Sequence, residues 1–242
     1  MNTEIKKMIT AEQNIIKEMI CFGDSNTYGL VPGTTNRYDY HTRWTGILQE
    51  KLKNRNFHIT EEGLCGRTAD FEDRTRTGRK GTAVFPMILE SHSPVDFITI
   101  MLGTNDCKTY YSADAEKIAK GIEKLILQAK SLCPDAKILL ISPILLGEGV
   151  WEKGYDPEFD TMSVWHARHL AHAYEKVANY HNCDFLAASD FAAPSPRDRE
   201  HLDEDGHRAL AEAIYQKITE MDEKQIINRK NYTQKTLHCS GK

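Results

Sequence analysis

"MICFGDSNTYGL", residues 19–30, begins as a strand and ends in a turn. Met19 to Phe22 is an apolar run of strand length, and Gly23 permits a sharp change of direction that a residue with a side chain would resist. Small and polar residues follow, so Ser25 is held at the end of a buried strand. A lone serine in that place ordinarily caps the next helix. Partner groups elsewhere in the chain would have to give it chemistry, and in an open parallel sheet they would stand beyond the carboxyl ends of the other strands.

Four further runs have strand character: "FHITEE" (57–62), "VDFITIML" (95–102), "AKILLIS" (136–142) and "CDFLAA" (183–188). The second and third of these are nearly continuous in apolar residues, as strands buried on both faces must be. Helical periodicity lies between them at 42–54, 113–132, about 161–181 and 203–221. This alternation predicts an α/β fold of three layers, α/β/α, with a flavodoxin-like, doubly wound parallel sheet of about five strands. The 242 residues show no internal linker or repeat, so one domain is expected across 1–242, with its core at about 18–222. Residues 1–16 carry Ile5, Met8, Ile9 and Ile16 at the spacing of an amphipathic helix, whereas 228–242 is polar, aperiodic and expected to fray. Two connections, 64–80 and 143–160, exceed ordinary loop lengths and are candidates for site-building or for contacts between copies.

The net charge of -4 without any block of Lys or Arg argues against nucleic acid and anionic membrane as partners and favours small molecules. No run approaches the ~18 apolar residues of a membrane span. The six cysteines are dispersed, none forms C-x-x-C, and the first residues lack the apolar core of a signal peptide. Reduced thiols in a cytoplasmic protein are the expectation.

At the strand ends stand Gly23-Asp24-Ser25, then "EEGLCGRT" with glycines at 63 and 66, then "GTND" with Asn105, and lastly "SPRDREHLDEDGH" with Asp198 and His201 three apart. Those groups match what acyl transfer requires. A serine hydroxyl is a weak nucleophile until an imidazole accepts its proton, and a carboxylate on the far ring nitrogen fixes the tautomer and steadies the imidazolium. Ser25, His201 and Asp198 can fill these roles. The N–H groups of Ser25 and Gly66 and the Asn105 amide are available for the oxyanion of the tetrahedral intermediate.

"FGDSNT", the glycines at 63 and 66, "GTND" and "DREH" resemble, in order, the four sequence blocks of the SGNH (GDSL-type) hydrolase family. "RWTGILQEKL", "EEGLCGRT" and "IMLGTNDCK" are similar to its arylesterase and acyltransferase branch. The resemblance implies Ser25 as nucleophile, His201 as base, Asp198 as its partner, and Gly66 and Asn105 completing an oxyanion hole with Ser25. It also implies neither metal nor cofactor, a small-molecule acyl ester as substrate, and assembly into a homo-oligomer. The expected activity is that of a serine esterase that cleaves short-chain acyl esters through an acyl-enzyme, with transfer to alcohols as well as to water. Turnover should rise with pH around the ordinary imidazole value of ~6.5 unless the partner carboxylate raises it.

Two positions depart from the family pattern. Asn26 replaces leucine, at a place that in the family's turn points away from the chemistry. Arg199 stands where a small residue often follows the aspartate. The 143–160 connection is where substrate preference is expected to be written, and Trp151 and Tyr155 in it could line an acyl pocket or pack against a neighbouring subunit.

Several rival readings are weaker. His166, His169 and His172 share a helix face but lack metal-site companions, and His207 fits a capping or packing position better than a catalytic one. Cys65 and Cys107 flank the oxyanion donors yet have no His and acid pair of their own. The alternative to an enzyme is a flavodoxin-like FMN-binding protein with "SNT" cradling a phosphate, which would set Asp24 against that phosphate and leave Asn105, Asp198 and His201 idle.

Overall fold

The computed structural model describes residues 16–239, with side chains for 16–224. The expected helix over 1–16 falls almost wholly outside the described residues. Five strands form one parallel sheet: β1 (Lys17–Gly23), β2 (Phe57–Gly63), β3 (Phe97–Met101), β4 (Lys137–Ser142) and β5 (Asp184–Ala187), in the order β2-β1-β3-β4-β5. Each is within a few residues of its expected place.

Alternating side chains explain why both faces are covered. Ile20, Phe22, Ile98, Ile100, Ile138 and Leu140 enter one buried cluster, while Met19, Cys21, Phe97, Met101, Leu139 and Ile141 enter the other. Helices α3 (Gly81–His92), α4 (Ala115–Leu132) and α5 (Thr161–Tyr180) close the first face. Helices α2 (Trp44–Leu52) and α6 (Glu204–Cys239) close the second. A single turn, α1 (Ser25–Tyr28), follows β1.

Two features differ from the sequence reading. The last helix continues to Cys239 instead of giving way to a frayed tail at 228, since no Gly or Pro interrupts the chain between His207 and Cys239. Helix α3 was not expected at all, because Pro86 lies within it. Proline removes the N–H that would bond the carbonyl four residues back, which here is Thr82. That carbonyl is instead satisfied from the neighbouring helix, where Gln128 Nε2 donates to it at 2.9 Å.

The sheet brings the ends of three strands side by side: Gly23 pairs in register with Gly63 of β2 and with Met101 of β3. The order in which strands are added to the sheet reverses between β1 and β3, the position where such sheets open a crevice. Gly23 is required there by crowding. A Cβ on it would lie 2.1 Å from Thr27 Oγ1 and 2.9 Å from the Met101 carbonyl oxygen.

Replacing Gln128 by leucine should leave the Thr82 carbonyl unpaired and lower stability by about 1–3 kcal/mol, read as an earlier urea midpoint. An unchanged midpoint would remove this bond from the account of α3.

Candidate active site

Ser25 opens α1 immediately after the Asp24 cap, whose Oδ1 accepts the Asn26 N–H at 3.0 Å. The serine is buried, and its Oγ lies 2.9 Å from His201 Nε2. On the other side of the ring, Nδ1 lies 2.8 Å from Asp198 Oδ2. A neutral ring that donates from Nδ1 to the carboxylate presents Nε2 as acceptor for the serine hydroxyl.

Asp198 is held by more than the imidazole. Its Oδ1 accepts the N–H groups of Glu200 and His201, both at 3.0 Å, and its Oδ2 accepts the N–H of Gly33 at 2.8 Å. Burial alone would raise its pKa, but the His201 imidazole and the N–H groups of His201 and Glu200 hold it below the usual carboxylate range. His201 moves the other way. Burial disfavours its charge, yet Glu200, Asp198 and the more distant Asp24 carry its pKa up to about 9, well above the ordinary imidazole value.

The oxyanion candidates follow the neighbouring strand ends. Gly66 has φ +80°, the left-handed region that favours glycine. Among the described residues, the N–H groups of Ser25 and Gly66 donate to no protein acceptor. Asn105 begins a short 3-10 turn after β3 and is buried. Its Nδ2 donates one hydrogen to the Arg67 carbonyl at 3.2 Å, which ties it to the residue after Gly66 and leaves the second hydrogen for a ligand.

Asn26 does more than its family position suggests. Its side chain stays clear of the reacting atoms, but Oδ1 accepts the Leu202 N–H at 2.9 Å and Nδ2 reaches the Glu200 carbonyl at 3.4 Å. It clamps the loop that bears His201 to the turn that carries Ser25. Arg199 adopts φ +63°, a left-handed conformation that explains why a small residue is usual there. The arginine offsets that cost through contacts: Nη1 donates to the Glu148 carbonyl at 2.9 Å and to Glu152 at 2.8 Å, and the guanidinium lies 4.2 Å over the Tyr155 ring. Gly147 N–H also donates to the Arg199 carbonyl at 2.8 Å, so the 143–160 connection is fastened to the loop that bears His201. Tyr155 thus supports Arg199, and Trp151 packs against the main core cluster.

The competing groups have other occupations. Buried His207 accepts the Trp44 N–H at 3.3 Å at the start of α2, and burial lowers its pKa to about 4. Cys21, Cys65, Cys107, Cys133 and Cys183 are free, and burial raises the thiol pKa of Cys65 and Cys107, which opposes thiolate formation. His169 Nδ1 lies 2.7 Å from the Trp165 carbonyl oxygen within its own helix. Among the described residues, no group of three or more His, Cys, Asp or Glu is placed to hold a metal, and no helix is long and apolar enough to cross a membrane.

Sequence reasoning missed Gly33, Glu200 and the clamping role of Asn26. Gly33 stands in a Pro-Gly turn that announces a bend and nothing more, while the other two act through partners about 175 residues away or through burial that no local pattern shows.

Comparison with known proteins shows the family and the fold. The sequence profile of the GDSL-like Lipase/Acylhydrolase family matches residues 21–210. A carbohydrate acetylesterase, Est24 from Sinorhizobium meliloti, is 32% identical and superposes with a TM-score of 0.79, covering 85% of this chain and 99% of its own. The inhibitor-bound aryl esterase of M. smegmatis is 30% identical with a TM-score of 0.78, covering 84% and 99%. No curated protein matches the chain in a sequence search. The FMN alternative finds no support in these comparisons. With the family profile spanning the sheet from β1 into α6, the chain belongs to the GDSL-like lipase/acylhydrolase family and is an ester-hydrolysing enzyme of the serine type.

Proposed function

We propose that Ser25 is the nucleophile, His201 the general base and Asp198 its orienting acid in an esterase for short acyl esters that works through an acyl-enzyme. The supporting observation is the buried chain of two bonds, 2.9 Å from Ser25 Oγ to His201 and 2.8 Å from His201 to Asp198. In this reading Ser25 Oγ attacks the ester carbonyl as its proton passes to Nε2. The oxyanion takes hydrogen bonds from the N–H groups of Ser25 and Gly66 and from the free hydrogen of Asn105 Nδ2. Collapse breaks the bond to the alcohol, which leaves with the proton from Nε2. Water then attacks the acyl-serine with the same base, and an alcohol in its place gives acyl transfer.

The two relatives are named for carbohydrate acetates and aryl esters, so an acetylated sugar and a series of p-nitrophenyl esters of increasing chain length are the substrates to try. The proposal also carries a cytoplasmic location and a homo-oligomeric assembly, the second readable by light scattering.

Ser25→Ala should lower turnover of p-nitrophenyl acetate at least about 10,000-fold, and retained turnover would end the assignment. Asn105→Ala should slow the chemistry by about 100- to 1,000-fold with the fold intact by circular dichroism. Asn26→Ala touches no reacting atom, yet displacing the base loop should reduce kcat by about 10- to 100-fold. A kcat equal to that of wild type would show that the clamp is dispensable.

A further inference from the structure

Glu200 lies between the two residues of the Asp198 and His201 pair and has no role in the mechanism above. The left-handed backbone at Arg199 turns the chain so that side chain 199 reaches the 143–160 connection while side chain 200 goes inward. The Glu200 side chain is only 9% exposed, and its Oε1 is 3.8 Å from His201 Nε2, the nitrogen that must take the serine proton. Its backbone is fixed on both sides, the N–H on Asp198 and the carbonyl on Asn26. Among the described residues, its carboxyl accepts no hydrogen bond. A buried carboxyl without donors is unfavourable, and one aimed at a catalytic nitrogen calls for an account.

We propose that Glu200 is a positioning residue for the base: from the Nε2 side it holds the His201 imidazolium in an ion pair that competes with Ser25, and so sets the pH at which the enzyme becomes active. The proposal rests on His201 being the base of the esterase. The proton bookkeeping is simple. In the ion pair Nε2 carries the proton and Glu200 the negative charge; the base is freed when that proton goes to solvent as hydroxide concentration rises, or crosses to Glu200 to give a neutral acid beside a neutral imidazole.

The surrounding charges do not cancel this coupling. His201 is faced by Asp198 from its own loop and by Asp24 from the end of β1, and Arg67 in turn faces Asp24. Glu200 is faced by Lys108 from the turn after β3 and by Asp156 from the long connection. Lys108 is drawn the other way by ion pairs to Glu158 and, at 3.9 Å, to Asp156. Burial pushes the pKa of Glu200 up to about 7, so its charge is present above that value, while His201 loses its proton near 9. When both groups are charged they face each other as an ion pair. Removing the negative charge lowers the pKa of His201, and the base is then free at lower pH.

The test compares wild type with Glu200→Gln. The pH profile of kcat/KM for p-nitrophenyl acetate reports the free enzyme, and its acid limb should move down by about 1 to 2 units in the variant, with activity at pH 7 about ten- to fiftyfold above wild type. The ring-proton NMR titration of His201, assigned by difference from His201→Gln, should move by the same amount. Superimposable profiles and titrations, or an equal loss of rate at every pH, would overturn the proposal. The NMR titration needs no turnover, so a wild type inactive on every ester would refute the esterase reading while the Glu200 coupling is still decided. Glu200→Asp keeps the charge and should shift less than Glu200→Gln; a larger downward shift would also count against it.

Discussion

An imidazole that must engage a hydroxyl on one nitrogen and a carboxylate on the other, both out of bulk water, is the constraint that the rest of the site serves. Either bond alone fixes little. Together, at 2.9 and 2.8 Å, they define the ring plane, the tautomer and the distance between the Ser25 turn and the 195–202 loop. The cost of burying Asp198 is met by three backbone N–H groups besides the imidazole, one of them contributed by Gly33, 165 residues away. Buried carboxylates tolerate such places only with several donors.

The sheet supplies the rigidity behind this arrangement. Gly63, Gly23 and Met101 end neighbouring strands in register, so the segments bearing Gly66, Ser25 and Asn105 start from one edge. The fourth segment, with Asp198 and His201, is not delivered by strand register, since it lies eleven residues or more beyond the end of β5. It is secured instead by Asn26 from the serine turn and by Gly147 and the Arg199 contacts from the long connection. Rigid strands place three of the groups, and polar clamps place the fourth.

Much of this was legible in the sequence because the strands are buried on both faces and therefore read as apolar runs. The three-residue spacing of Asp198 and His201 was equally readable, because a single turn can present both side chains together. Helix α3 escaped because Pro86 contradicts local propensity and the compensating donor, Gln128, lies on another helix. The part of the alkaline displacement of His201 that comes from Glu200 escaped for a different reason: the field of Glu200 is a property of the folded site and leaves no mark on spacing or composition. Asn26 looked like a tolerated departure since its partners are backbone groups of a loop about 175 residues away.

The left-handed arginine has an evolutionary corollary. At position 199 glycine would fit without strain, whereas arginine is sustained by Glu152, the Glu148 carbonyl and the ring of Tyr155. Redesign of the segment that bears those three partners is therefore not free to proceed by itself. A chain that changes it must also relieve the left-handed backbone at residue 199, so the long connection and the loop that bears Asp198 are bound to change together.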